Sequence, residues 1–333
     1  MTATTAPGAG DEGAATASAV SDSAAPSTRL RVISDNDYAG DPDGLFQLVH
    51  LLLCRSVDVR AVIPSAFRPF PGDPWNDRAA DEAARLAQEA MDVTGRQVPI
   101  ARASNTGLVD RRTPIDNAAS RAIIDEALRD DPRPLLVLVG GGLTAVASAL
   151  LLEPRIADRL TVVWIGGCVP ADEPDPAKDH VEYNTSIDIA AAQVVFEDSS
   201  VPVWQVPHDT YRQAMVSWDE LTTTVYCHGR IGPWLREKMR RIEDVFDAIG
   251  VHPGEAFVLG DNPLVLLGAL HTPFEPDTAS SRYVIGPAPA ISDAGRFTAA
   301  TTGRPIRVYR SIDMRLLMAD FTAKLALAAR ASA

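Results

Sequence analysis

The chain has 333 residues, 46% of them hydrophobic and 23% charged, enough to bury a sizeable core. A formal net charge of −13 argues against nucleic acid or an anionic membrane surface as partner and favours a cation or a neutral small molecule. Cys54, Cys168 and Cys227 are odd in number and widely spaced, so neither a disulfide framework nor a zinc-type cysteine pair is expected.

Residues 1–28 are rich in Ala, Ser, Thr, Gly and Pro and carry no aromatic residue, Lys or Arg. They read as a disordered tail rather than a secretory signal, with an ordered domain over 29–333. No run approaches the ~18 apolar residues of a membrane span, and cytoplasmic residence is the expectation.

Order is expected to begin with the strand Leu30-Arg31-Val32-Ile33-Ser34. A buried helix over Leu45 to Leu53 follows, then a strand from Val57 to Ile63. Asp77 to Thr94 has helical spacing and stops at Gly95, a C-cap residue type. Asp116 to Leu128 reads as another amphipathic helix. Leu135 to Val139 is an apolar strand ending at Gly140-Gly141-Gly142, and Thr144 to Leu152 returns as helix. Leu160 to Ile165, closed by Gly166-Gly167, and Val201 to Val206 repeat the strand pattern.

Near-continuous apolar strands alternating with helices predict an α/β domain, its mostly parallel central sheet flanked by helices on both faces in an open Rossmann-like arrangement. Ligands bind such sheets beyond the C-terminal ends of the strands. The loops after Ser34, Val139 and Ile165 all lie at such ends.

The first of these loops is acidic: Asp35, Asp37, Asp41 and Asp43 fall within nine residues. Carboxylates so crowded repel one another unless a cation neutralises them or one is protonated. Hard oxygen ligands favour calcium or magnesium over zinc. A solvated acidic turn is the competing reading, and an EF-hand lacks its glycine and terminal glutamate here.

Asp35-Asn36-Asp37 and Asp41, between a strand and a buried helix, resemble the opening Asp-x-Asp-x-x-x-Asp-Asp of the inosine–uridine-preferring nucleoside hydrolases. Pro42 stands where that family has its fourth aspartate, and Asp43 follows as though one residue had been inserted. Further segments resemble the family in order: Gly142-Leu143-Thr144, Glu182-Tyr183-Asn184, Val206 to Tyr211, and Gly260-Asp261-Asn262-Pro263-Leu264. The resemblance extends from about Leu30 to Leu327.

The resemblance implies a calcium-dependent hydrolase that cleaves the N-glycosidic bond of ribonucleosides to base and ribose. Calcium would be held by Asp37, Asp43, Asp261 and the backbone carbonyl of Thr144. Asp37 would take the proton of the attacking water, and Asp41, Glu182 and Asn184 would bind the sugar hydroxyls. Asp35 would anchor the loop. A homodimer or homotetramer is likewise implied only by the resemblance.

Plainer readings stand beside these roles. Asp261 could cap the helix that follows, Glu182 and Asn184 could be surface loop residues, and Asp188 reads as an N-cap. The glycine turn after Val139 lacks the Lys-Ser/Thr of a phosphate loop.

The chain also departs from the family. Gly260 replaces the histidine that commonly precedes the last metal aspartate and is implicated in protonating the leaving base. Pro64-Ser65-Ala66-Phe67 replaces an asparagine, and the segment between Gly167 and Glu182 is long and lacks the usual ribose-contacting asparagine, with Asp179 or His180 as substitutes. Candidates for another acid are His228, Tyr226 and His180, and for a base-stacking aromatic Trp75 and Trp234. These departures leave two rivals: a calcium-dependent nucleoside- or sugar-binding protein without turnover, and a hydrolase of another ribosyl substrate.

Overall fold

The computed structural model describes residues 1–2, 28–68, 77–170, 181–248, 250–252, 254–270 and 281–331. Residues 3–27 of the expected tail, Trp75, Asp179 and His180 lie outside the described residues.

The chain alternates as the apolar pattern requires. Strands β1 (Leu30–Asn36), β2 (Val57–Pro64), β3 (Leu135–Val139), β4 (Thr161–Ile165) and β5 (Val203–Val206) are separated by helical segments. These segments are α1 (Asp43–Leu52) between β1 and β2, α2 (Ala79–Thr94) and α3 (Ala118–Ala127) between β2 and β3, and α4 (Thr144–Leu152) between β3 and β4. Short helices α5 (Tyr183–Ile187) and α6 (Ile189–Gln193) precede β5, and α7 (His208–Tyr211) follows it.

The later chain adds a small antiparallel pair, β6 (Met215–Ser217) and β7 (Ala256–Val258), around α8 (Trp218–Thr224) and α9 (Ile231–Ala248). Helix α10 (Pro263–Ala269), strands β8 (Arg282–Pro287), β9 (Ala290–Ile291), β10 (Phe297–Thr298) and β11 (Pro305–Ser311), and helix α11 (Met314–Ala331) complete it.

The central sheet has the order β2-β1-β3-β4-β5-β11-β8. It is parallel from β2 through β11, and only the β11–β8 edge is antiparallel. Every residue of β1 and β3 is buried, as expected of strands covered on both faces. Three apolar clusters fill the layers, centred on residues such as Trp164 and Phe196, Phe46 and Phe321, and Leu138 and Tyr309.

Local signals end the elements. Gly95 adopts φ 71° at the C-terminus of α2, a conformation glycine enters at no steric cost. Asn117 caps α3 in a reciprocal box with Ser120. Arg31, nearly fully buried in β1, is neutralised by Glu126 at 2.8 Å. No helix of the described residues is long and apolar enough to cross a membrane.

The chain runs from β1 to β2 on one side, and β3 then joins on the other side of β1. The strand order therefore reverses between β1 and β3, opening a crevice at their C-terminal ends. Asp35 pairs in register with Val139, so the acidic loop and the Gly140 loop leave the sheet side by side.

Candidate active site

The crevice holds a cavity of about 570 Å³, within the range of small-molecule sites. Asp37, Asp41, Asp43, Glu182, Asn184 and Asp261 all line it. Six of the seven residues proposed from sequence are thereby brought together, from three separate stretches of chain.

Local bonds set the floor. Asn36, at the end of β1, accepts the N–H of Asp37 on its Oδ1 at 2.8 Å and donates from Nδ2 to Asp261 Oδ2 at 3.0 Å. The Asp37 carbonyl closes a turn on Gly40 N at 2.7 Å. That turn delivers Asp43 to the first position of α1, where it is 6% exposed. Asp43 Oδ2 accepts the N–H of Asp261 at 3.1 Å. Pro42, as the N-cap of α1, thus leaves Asp43 on the cavity, buried with Asp37 and Asp261, while Asp41 sits at its exposed lip.

Asp261 does not cap the following helix; α10 begins after Asn262 with no side-chain cap. Asp35 faces elsewhere, accepting the Ser65 hydroxyl. Burial pushes the Asp35 carboxyl up to about 7.

The carboxyls of Asp37, Asp43 and Asp261 are all held well above the usual aspartate range. Desolvation is the first cause in each. Repulsion from Asp261 and Asp41 adds to it for Asp37 and Asp43, and repulsion from Asp41 for Asp261. Among the described residues no lysine, arginine or histidine forms a salt bridge with any of the three. Three buried carboxyls lining one cavity are the hard oxygen donors a divalent cation takes, and its charge would let all of them ionise. The one group of the described residues whose ligand atoms already lie within 4.8 Å of one another is His50, Cys54 and Asp320, away from this cavity.

Thr144 does not join this cluster. As the first residue of α4 it lines a separate cavity, and its hydroxyl donates to Asp188 Oδ2 at 2.7 Å. The backbone of that segment that lines the acidic cavity is Gly140, at the exit of β3. A Cβ on Gly140 would stand 2.3 Å from Asn36 Nδ2, so only glycine lets the two strand exits approach. Asp188 is the expected N-cap, accepting Ala191 N at 2.9 Å.

Glu182 and Asn184 are buried, at 1% and 8% exposure, rather than surface residues. Glu182 accepts from Gly167 N, Thr185 N and Thr185 Oγ1 on one oxygen, and from Asn184 N and the Tyr211 hydroxyl on the other. Asn184 commits both amide protons to carbonyls, Gly140 O at 2.7 Å and Ile165 O at 2.8 Å. It can therefore offer a ligand only its oxygen.

Apolar groups above the floor come from Phe67, Leu86, Ile242 and Phe246, and the rim carries Arg85, Lys238 and Arg241. His228, Tyr226 and Trp234 do not line the cavity; Trp234 instead donates to Glu89 at 3.3 Å. Tyr211 and Gly140 are site residues that motif matching missed. Tyr211 belongs to a stretch matched only as structural, and a backbone carbonyl leaves no residue-type signature.

The architecture defines an open α/β protein with an acidic ligand cavity at its switch point, and sequence comparison supplies the family. The model of the inosine-uridine preferring nucleoside hydrolases matches residues 32–285. The chain belongs to that family.

It is 39% identical over 82 residues to the inosine-uridine preferring nucleoside hydrolase of Leishmania major, a stretch covering 24% of this chain and only 25% of that relative. The fold is shared over much more. A purine-preferring ribonucleoside hydrolase from Gardnerella vaginalis superposes with a TM-score of 0.70 at 16% identity, covering 90% of this chain and 99% of that one. The type III effector protein XopQ, solved with adenosine diphosphate ribose, superposes at 0.62 and 18% identity, covering 90% and 94%.

Proposed function

We propose that this chain is a hydrolase of the N-glycosidic bond of ribonucleosides, dependent on a hard divalent cation of the kind oxygen donors favour, calcium or magnesium, and we take it to be calcium, the ion the family resemblance implies. The carrying observation is the meeting of Asp37, Asp43 and Asp261 in one cavity, buried and without a cationic partner among the described residues. Those three carboxylates would hold the ion together with the carbonyl of Gly140, in place of the Thr144 carbonyl implied by resemblance. A carbonyl oxygen has two lone pairs, and among the described residues that of Gly140 accepts from Asn184 alone.

A divalent cation supplies Lewis acidity, making a neighbouring water a stronger acid. Asp37 accepts the proton of that water as it attacks the anomeric carbon. Asp41 and the Asn184 oxygen accept hydrogen bonds from sugar hydroxyls, and Glu182 fixes the loop that presents Asn184. Holding the sugar by several hydroxyls removes orientational freedom before the bond breaks. The C–N bond electrons leave with the base, above the floor among Phe67, Leu86 and Phe246.

A second reading, hydrolysis of a larger ribosyl substrate, draws support from Arg241 on a rim where Arg85 and Lys238 are paired with Glu82, Glu89 and Glu237, and from the effector solved with adenosine diphosphate ribose. One panel separates the readings: free ribose or ribosyl product assayed from inosine, uridine, cytidine and adenosine diphosphate ribose, with calcium present. Ribose from a nucleoside, lost in Asp37→Ala, is the expected result. Turnover of the dinucleotide-like substrate alone would select the second reading. Tight nucleoside binding without turnover would select a binding protein.

A further inference from the structure

Gly260 leaves unassigned the space that a histidine would fill, and the structure shows what fills it. A Cβ on Gly260 would lie 3.2 Å from Tyr211 Cδ2 and 3.2 Å from Asp43 Oδ2. A side chain there would press on the Tyr211 ring, which would have to give by a few tenths of an ångström, so the glycine leaves the ring its present place. The ring is held in place: His208 packs on it edge-to-face at 5.3 Å, and its hydroxyl donates to Glu182 Oε1 at 3.0 Å.

Glu182 itself has little left to offer a substrate. A carboxylate has about four acceptor positions, and this one already receives hydrogen bonds from Gly167 N, Asn184 N, Thr185 N, Thr185 Oγ1 and Tyr211 Oη. A sugar hydroxyl could reach it only by displacing one of them. Tyr211 lines the cavity, its proton is committed to Glu182, and among the described residues no group donates to its oxygen. Burial, and then the charge of Glu182, hold the phenol protonated well beyond its ordinary range.

We propose that Tyr211, in the space left by Gly260, is a substrate-contacting residue: its phenol oxygen accepts a hydrogen bond from one sugar hydroxyl while Glu182 holds its proton from behind. Glu182 is then a positioning residue, acting through Tyr211 and the Asn184 loop. The inference rests on the nucleoside hydrolase reading and adds to it the group that recognises the sugar.

The test uses calcium-supplied full-length protein, wild type and Tyr211→Phe, on the best nucleoside of the panel and its 2′-, 3′- and 5′-deoxy analogues. Analogues that do not turn over are read through their competitive inhibition constants. The phenylalanine ring keeps the packing, and the melting temperature checks that it does. The expected result is a loss of about tenfold in kcat/KM on the parent that shrinks to within about twofold on one deoxy analogue, the one lacking the contacted hydroxyl. Equal losses on all four substrates, or no loss on the parent, would overturn the assignment while leaving the hydrolase reading intact. A wild type that turns over no nucleoside would overturn both.

Discussion

The Asp43 carboxylate accepts the backbone N–H of Asp261 at 3.1 Å across 218 positions of sequence, tying the first turn of α1 to the approach of α10. With Asn36 bonded to the Asp261 carboxylate at 3.0 Å, the two ends of the chain's acidic chemistry are fixed to one another before any ligand arrives. What remains is the electrostatic cost of keeping three carboxyls together away from water.

That cost should be visible as metal-linked stability. Chelator-treated protein should gain about 2.7 kcal/mol when calcium reaches a hundred times its dissociation constant, read as a rise in melting temperature. Asp261→Asn should abolish the rise and melt higher than wild type in chelator, because one repelling carboxyl is gone. Nucleoside turnover should fall with chelation and return with calcium.

Asp37→Asn should lower kcat by about 10²–10⁴ if the residue takes the water's proton. Ion binding should weaken in the same variant, so turnover should be compared at saturating calcium. A variant retaining most of its kcat there would remove Asp37 from the proton-accepting role.

Gly140→Ala tests the close approach of β1 and β3. The new methyl would collide with Asn36 and force it off Asp261. Overpacking of this kind costs about 1–3 kcal/mol, and a displaced carboxyl should lower activity roughly 10²-fold. Denaturant melts and steady-state kinetics on one preparation would check both.

The folding pattern was legible because β3 is apolar throughout and β4 nearly so, a composition suited to a doubly covered parallel strand. The edge was not. The exposure of β8 alternates weakly, and β11 is half-buried, so neither run stands out, and the strands expected from sequence stop at Val206. The acidic loop was legible from carboxylate density alone, and Asp43 through its place just past the insertion. Thr144 misled because a matched motif reports residue order, not which residue's backbone reaches the strand exit. Tyr211 was hidden because a glycine says nothing about which distant side chain occupies the room it leaves.

Away from the site, His50 is fully buried and bonded to Asp320 at 2.8 Å. Asp320 also pairs with Lys324, and Cys54 lies close by. Burial pushes the imidazole below its ordinary 6.5. A depressed histidine is neutral in the folded state, so its contribution is present above 6.5 and is lost as the unfolded chain protonates on acidification. Wild type should therefore lose more stability than His50→Gln between pH 7 and pH 5, measured as the difference between their melting curves in saturating calcium. Parallel curves would mean that the histidine does not set this dependence.

At the other end of the sheet, Arg31 and Glu126 form a buried pair at 2.8 Å, and Arg60 and Arg129 also reach Glu126. Glu126→Ala leaves the Arg31 charge only the more distant Asp131 at 3.9 Å and should cost about 3 kcal/mol in urea unfolding. A loss below about 1 kcal/mol would mean that solvent screens the pair.

Calorimetric titration of calcium into chelator-treated protein tests the central claim most directly. One ion bound per chain by wild type, with binding weakened in Asp37→Asn and lost in Asp261→Asn, is the predicted result. A wild type that takes up no calcium, or variants that bind it as wild type does, would contradict the account.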